Sequence, residues 1–116
     1  MRLHHLAFRT ADVAALAAFY HEMLGFEVVR DALPHALWLG LGDEAVMMIE
    51  ARAGGETTVP PGSMELVAFR ADATTRAEVT RKARARGCYD GETPFTVYLR
   101  DPDGRRIGVS MYDLGA

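Results

Sequence analysis

The chain begins with an alternation of apolar and other side chains that changes to a helical spacing after about ten residues. Residues 3–9 alternate in this way, which predicts a strand with one buried face. Over residues 13–24 the apolar side chains recur every three or four positions, which predicts an amphipathic helix capped by Thr10 or Asp12. Gly25 then supplies the left-handed residue that commonly ends a helix.

The first strand returns later in the chain as a near copy. Between the first helix and this copy, three further strands are predicted, over residues 26–30, 36–41 and 45–50. Residues 64–70 then repeat residues 3–9 at an offset of 61 positions (64 minus 3), with Ala-Phe-Arg identical in both copies. A repeat of this kind predicts two similar structural modules.

The second module is predicted to follow the same order of elements as the first. Thr75 and Glu78 form a capping-box pattern, which predicts a helix that ends near Arg86. Strands are then predicted near Tyr89, over residues 95–100 and over residues 105–112, with a tight turn at 101–104.

The segment between the two modules is rich in glycine and proline. Residues 52–63 show no apolar periodicity, so we interpret them as a linker. This places the modules at residues 1–51 and 64–116, and at this length we expect them to form one domain together.

The composition of the chain limits the kinds of binding partner that we expect. A net charge of −3 gives no reason to expect nucleic acid or an anionic membrane, both of which favour a positive excess. Cys88 is the single cysteine, so no internal disulfide can form. We see neither a signal-peptide pattern nor an apolar stretch long enough for a membrane span, and we expect a cytoplasmic protein.

Alternation along the strands sorts their residues into two faces of different character. One face is apolar throughout and is expected to pack against the helices. Its members are Leu6, Phe8, Leu37, Leu39, Met47, Ile49, Val67, Phe69, Val97, Leu99, Ile107 and Val109. The other face mixes aromatic, apolar and ionisable groups: His5, Trp38, Met48, Glu50, Leu66, Tyr98, Arg106, Gly108, Ser110 and Tyr112. Such a mixture is typical of a small-molecule site.

Three segments carry a family resemblance: residues 3–9, the helix end Phe19-Tyr20-His21-Glu22-Met23-Leu24-Gly25-Phe26, and the turn Asp101-Pro102-Asp103-Gly104. Together they resemble the vicinal oxygen chelate superfamily, which includes glyoxalase I, bleomycin-resistance proteins, fosfomycin-resistance enzymes and extradiol dioxygenases. The resemblance implies an α+β fold of two βαβββ modules. Their mixed sheet would form a cup with helices on its outer face, commonly completed in a homodimer. The reaction does not follow from the fold.

In metal-dependent members of that superfamily, side chains from four strands hold a divalent ion. The resemblance places the first ligand on His5 and its counterpart in the second module on Leu66, which cannot coordinate a metal. The last-strand ligand falls on Gly108 and the remaining one on Met48, with Glu50 two residues further on the same face. Because catalytic metal sites use about three protein ligands, we expect a degenerate metal site and no cofactor. A divalent metal held by His5 and Glu50 is the alternative.

His5 and Glu50 are the candidate catalytic residues. His5 could be a metal ligand, a proton-transfer group or a hydrogen-bonded structural histidine. Glu50 could be a general base with a raised pKa, or a carboxylate that reaches water at the rim. The candidate ligand-binding residues are Trp38, Met48, Leu66, Tyr98, Arg106, Ser110 and Tyr112.

These candidates also have structural explanations. The aromatic residues could hold a flat ligand or pack in a dimer, and Arg106 could bind an anionic group or face solvent. Three functions therefore stay open. The first is a bleomycin-resistance-like protein that binds a small aromatic or amphipathic molecule without changing it. The second is an enzyme. It is either a divalent-metal-dependent lyase, isomerase or dioxygenase that uses His5 and Glu50, or a metal-independent enzyme that uses them for proton transfer. The third is a structural homodimer whose cup is filled by side chains.

Overall fold

The structure is a computed structural model that describes residues 1–115, and this part of the chain contains eight strands and two helices. It divides into two compact units, Met1–Thr57 and a second unit that begins at Thr58. The first unit contains β1 (His5–Thr10), α1 (Val13–Leu24), β2 (Glu27–Ala32), β3 (Ala36–Gly40) and β4 (Val46–Ala51). The second contains β5 (Leu66–Arg70), α2 (Ala73–Arg86), β6 (Tyr89–Glu92), β7 (Thr96–Arg100) and β8 (Arg106–Ser110). Neither helix is long and apolar enough to cross a membrane.

Each unit holds one four-stranded mixed sheet with the same topology. The strand order is β1-β4-β3-β2 in the first unit and β5-β8-β7-β6 in the second. β1 runs parallel to β4 and β5 runs parallel to β8, whereas the other neighbours are antiparallel. This arrangement confirms the predicted α+β fold of two βαβββ modules, and the repeat in the sequence corresponds to a repeat in topology.

Both helices begin at an aspartate and end at a left-handed glycine. Asp12 caps α1, because its Oδ1 accepts a hydrogen bond of 3.0 Å from the backbone N–H of Ala15. The prediction that Thr75 caps the second helix is wrong. Asp72 is the cap, and its Oδ1 accepts the backbone N–H of Thr75 at 2.8 Å. Thr75 is the third helical residue after Asp72, so it supplies one of the unpaired N–H groups that a cap satisfies.

The apolar face of each sheet packs against the helix of its own unit, as the alternation predicted. In the first unit Leu39, Met47 and Ile49 are fully buried with Phe19 and Tyr20 of α1. In the second unit, α2 buries two residues, Val79 and Ala83. They accompany the buried sheet residues Val97, Leu99, Ile107 and Val109. No helix of the same unit covers the opposite face of each sheet, which we term the open face.

The Asp-Pro-Asp-Gly segment is a tight turn between β7 and β8, as predicted. The backbone N–H of Gly104 donates to the carbonyl of Asp101 at 2.9 Å, and Gly104 has a φ of 89° that suits glycine. Asp101 is buried, and its carboxylate accepts hydrogen bonds from the backbone N–H groups of Asp103 and Arg105. The turn therefore sets the start of β8 and with it the register of the last strand.

Candidate functional site

The open face of the first unit carries His5 and Trp38 at neighbouring positions. Their rings are 6.5 Å apart between centroids, and the guanidinium of Arg30 lies 5.6 Å from the centre of the Trp38 ring. The Nδ1 atoms of His4 and His5 are 2.9 Å apart, so one ring donates and the other accepts. Met48 is level with Trp38 on the adjacent strand. This region offers an aromatic and thioether surface edged by a histidine and an arginine.

Glu50 lies in an ion-pair cluster at the other end of the same face. The guanidinium of Arg9 donates to Glu56 from Nε at 2.9 Å and from Nη2 at 2.8 Å, and its Nη1 lies 3.5 Å from Oε2 of Glu50. Hydrogen bonding to Arg9 lowers the pKa of Glu56, and the same contact raises the pKa of Arg9. The cluster gives Glu50 a cationic neighbour.

His5 and Glu50 lie on the same open face but at different levels of the sheet. His5 is in register with Val46, whereas Glu50 is in register with Arg9, four residues further along β1. Because a strand rises roughly 3.3 Å per residue, about 13 Å separates the two levels. A metal ion bonds its ligands at about 2 Å. His5 and Glu50 would have to bend toward each other along the strand to share one ion.

The second unit has a cationic cluster on its open face. Arg106 stacks over Tyr98, with its guanidinium carbon 3.8 Å from the ring centre, and donates from Nε to Oδ2 of Asp90 at 3.1 Å. Arg100 donates to the same oxygen at 2.9 Å. Two guanidinium groups therefore share one carboxylate, and the three side chains carry a net positive charge.

The two family metal positions in the second unit lie in this cationic and crowded region. Leu66 is in register with Arg106, which is in turn in register with Arg100. A Cβ atom on Gly108 would lie 3.2 to 3.4 Å from side-chain atoms of Thr96, Ala68 and Leu66. Within residues 1–115 no group of three or more His, Cys, Asp or Glu side chains is placed to hold a metal ion. The residues present do not fit the metal site that the resemblance implies.

A cavity of about 330 Å³ lies on the open face of the second unit. It is lined by Ala68, Phe69, Arg70, Thr96, Ser110, Tyr112 and Leu114. Two of the predicted ligand-binding residues, Ser110 and Tyr112, line it. Leu66, Tyr98 and Arg106 lie on the same sheet in the neighbouring rows.

Arg70 and Thr96 were missed by the sequence prediction, although a signal for them was present. Arg70 follows Leu66 by four positions and Thr96 precedes Tyr98 by two, so strand alternation puts each on the open face with the predicted residue. In the structure Arg70, Ser110 and Thr96 form one row across β5, β8 and β7. The row places a guanidinium beside two hydroxyl groups.

A family profile matches almost the whole chain. The sequence model of the Glyoxalase/Bleomycin resistance protein/Dioxygenase superfamily matches residues 2–109 of this chain. Among curated proteins, the virulence protein STM3117 of Salmonella typhimurium strain LT2 is 29% identical over 126 residues, covering 96% of this chain and 84% of that protein.

Solved structures share the fold at low sequence identity. A possible glyoxalase from Bacillus cereus superposes with a TM-score of 0.76 at 21% identity, covering 95% of this chain and 98% of that one. The fosfomycin resistance protein FosX from Listeria monocytogenes superposes with a TM-score of 0.78 at 18% identity, covering 97% of this chain and 92% of that one. At these identities the similarity establishes the fold and leaves the ligand open.

Proposed function

Because the chain belongs to the Glyoxalase/Bleomycin resistance protein/Dioxygenase superfamily, we propose that it binds a small aromatic or amphipathic molecule on its open sheet faces without a metal ion. The cavity of about 330 Å³ on the second unit carries this proposal. Its volume lies within the range of small-molecule sites, and its lining combines apolar side chains with a few polar groups, as such sites do.

The aromatic residues support an aromatic or amphipathic ligand. Tyr112 lines the cavity and also contacts Phe95 edge to face, with ring centroids 5.0 Å apart. Both rings are about half exposed, Phe95 at 45% and Tyr112 at 52%. A flat ligand that covers them would remove apolar surface from water, which is favourable.

The side chains at the family metal positions support a metal-independent protein. Leu66 and Gly108 cannot coordinate, and Arg106 places a positive charge in register with Leu66. A divalent cation near this strand would meet two arginines and one carboxylate. We therefore propose that His5 lies at the edge of a ligand surface on the first unit's open face and does not bind a metal.

Elemental analysis tests the metal-independent function. Protein purified without chelators should contain zinc, nickel, iron and manganese well below one equivalent, and His5→Ala should leave these amounts unchanged. A stoichiometric metal that disappears in His5→Ala would overturn the proposal and would favour the metal-dependent lyase, isomerase or dioxygenase. The position of Glu50 disfavours that alternative, because about 13 Å along the strands separates its level from that of His5.

A binding screen tests the ligand itself. Ligands that bind the folded state raise the unfolding temperature in a concentration-dependent way, so aromatic and amphipathic compounds should give saturable shifts. Tyr112→Ala should reduce these shifts, and product analysis of the incubated compounds should recover them unchanged. The predicted homodimer belongs to the same proposal and is checked by light scattering. A monomer would restrict the binding site to one chain.

A further inference from the structure

We infer that the cavity of the second unit is an anion site built for a monocarboxylate with an apolar or aromatic body. This inference rests on the proposed function and names the charged group of its ligand. Its anchor is Arg70, which lines the cavity at the end of β5. The inference depends on the charge of Arg70, on the hydroxyl groups beside it and on the apolar remainder of the lining.

Arg70 lies in a row of three side chains across adjacent strands. Arg70 on β5 is in register with Ser110 on β8, which is in register with Thr96 on β7. Neighbouring strands are about 4.8 Å apart, so the guanidinium and the two hydroxyl groups lie within reach of one small ligand group. All three residues line the cavity.

The charge of Arg70 has no carboxylate partner in the part of the chain that the structure describes. Across residues 1–115 no carboxylate forms an ion pair with it. The equivalent arginine of the first module, Arg9, contacts both Glu50 and Glu56. Ser110 stands at the register position that Glu50 holds in the first unit, so the second module keeps the arginine and replaces its counter-ion with a hydroxyl.

The hydroxyl pair beside Arg70 retains a free donor. Thr96 donates to Oγ of Ser110 at 2.8 Å, and the backbone N–H of Tyr112 donates to the same oxygen at 3.2 Å. The two hydroxyl groups hold two hydrogens and their mutual bond uses one, so one O–H remains for a ligand. A guanidinium and a free O–H are both donors, and together they suit an anionic acceptor.

The balance of charge selects a monocarboxylate. Among the described residues that line the cavity, Arg70 is the one charged side chain, so a single negative charge neutralises it. Ala68, Tyr112 and Leu114 supply apolar surface for the rest of the ligand. A phosphate dianion carries about one charge more than Arg70 balances, and it offers no apolar body to the rest of the lining.

The test uses three probes and three variants of the full chain. The probes are 2-naphthoate, its neutral counterpart 2-naphthamide, and inorganic phosphate. The variants are Arg70→Gln, Arg70→Lys, which keeps the charge but loses the planar fork, and the matched control Arg81→Gln on the exposed surface of α2. Binding is measured by calorimetry, and amide NMR shifts locate it. Circular dichroism confirms that each variant is folded.

The inference predicts that 2-naphthoate binds the wild type with shifts centred on residues 68–70 and 110–112. Arg70→Gln should weaken this binding by at least about tenfold, since a charge-assisted hydrogen bond is lost. The affinity of Arg70→Lys for 2-naphthoate should lie between those of the wild type and Arg70→Gln, and Arg81→Gln should have the wild-type affinity. Inorganic phosphate should bind the wild type more weakly than 2-naphthoate does.

Three results would overturn the inference. If 2-naphthoate bound the wild type and Arg70→Gln equally, Arg70 would not form an anion site. If 2-naphthamide bound the wild type as tightly as 2-naphthoate, the ligand would need no charge. Either result would leave small-molecule binding intact. Absence of any shift at the cavity with 2-naphthoate would also overturn it. The proposed function is then judged separately by the thermal-shift screen with uncharged aromatic compounds.

Discussion

Arg9 and Arg70 occupy the same position in two copies of one strand, yet their electrostatic surroundings are opposite. Arg9 lies between Glu50 and Glu56, with its Nη2 atom 2.8 Å from the Glu56 carboxylate. Arg70 lies beside Ser110 and lines a cavity. The first arginine has two carboxylate neighbours in its own module, and the second has none among residues 1–115.

Glu56→Gln should lower stability near neutral pH and reduce the loss of stability in acid. Hydrogen bonding to Arg9 holds the pKa of Glu56 below its ordinary value of 4.5. A lowered folded-state pKa adds stability above about 4.5, and this contribution disappears as the pH falls through the folded-state value. Urea unfolding at pH 7 and in steps below pH 5 measures both effects. Glu65→Gln, at an exposed position, is the control, and an identical acid profile for the two variants would contradict the prediction.

Arg76→Met should destabilise the second unit by about 1–3 kcal/mol, because the guanidinium joins α2 to the loop before β7. Arg76 donates to the carbonyls of Thr93 and Phe95 at 2.7 and 3.1 Å and contacts Glu92 at 3.1 Å, with 13% of its side chain exposed. Denaturant unfolding measures the change. Arg81→Met on the same helix should change stability by less than about 0.5 kcal/mol, and equal losses in both variants would argue against the tether.

Gly108→Ala should destabilise the protein by roughly 1 kcal/mol, because the new Cβ overpacks the open face. It would meet Thr96 Cγ2 at 3.2 Å and Ala68 Cβ at 3.3 Å, and the latter cannot rotate away. Gly108→Glu, which puts a carboxylate at the family ligand position, should be less stable still and should gain no bound metal in elemental analysis. A stoichiometric metal in that variant would show that the site lacks just one ligand.

Leu99→Ala should cost about 2–5 kcal/mol, since it removes a fully buried side chain between the second sheet and α2. Leu114→Ala is the matched control, because 77% of Leu114 is exposed. Thermal and denaturant unfolding compare the two variants. Similar losses would mean that the C-terminal segment contributes as much to stability as the core.

Much of the fold was predictable because it follows from local patterns. Strand alternation identified the face that packs on the helices, and the repeated Ala-Phe-Arg predicted two modules with matching topology. The cap of α2 was assigned wrongly because Asp72 and Thr75 are both good capping residues. The choice between them depends on where the backbone becomes helical, which the spacing of Thr75 and Glu78 does not decide.

The sequence predicted which residues of the first unit share a sheet face, but not how they are grouped on that face. His5, Trp38, Met48 and Glu50 were expected on one sheet face, and they lie on one open face. The register between β1 and β4 separates the levels of His5 and Glu50, and strand register arises from turns and packing across the sheet. The residues next to His5 and Glu50 in the sequence therefore do not predict how far apart the two side chains lie.

The sequence by itself determined the family, the two modules and the side chains that leave the core, because these depend on residue type and periodicity. The tertiary structure decided which charges are neutralised. Arg9 and Arg70 are identical in sequence context over three residues, but Glu56 reaches Arg9 across 47 positions of chain, and Ser110 stands beside Arg70 where Glu50 stands beside Arg9. Electrostatic pairing acts over a few ångströms in space, so the fold, and not the order of residues, determines which arginine has carboxylate neighbours among residues 1–115.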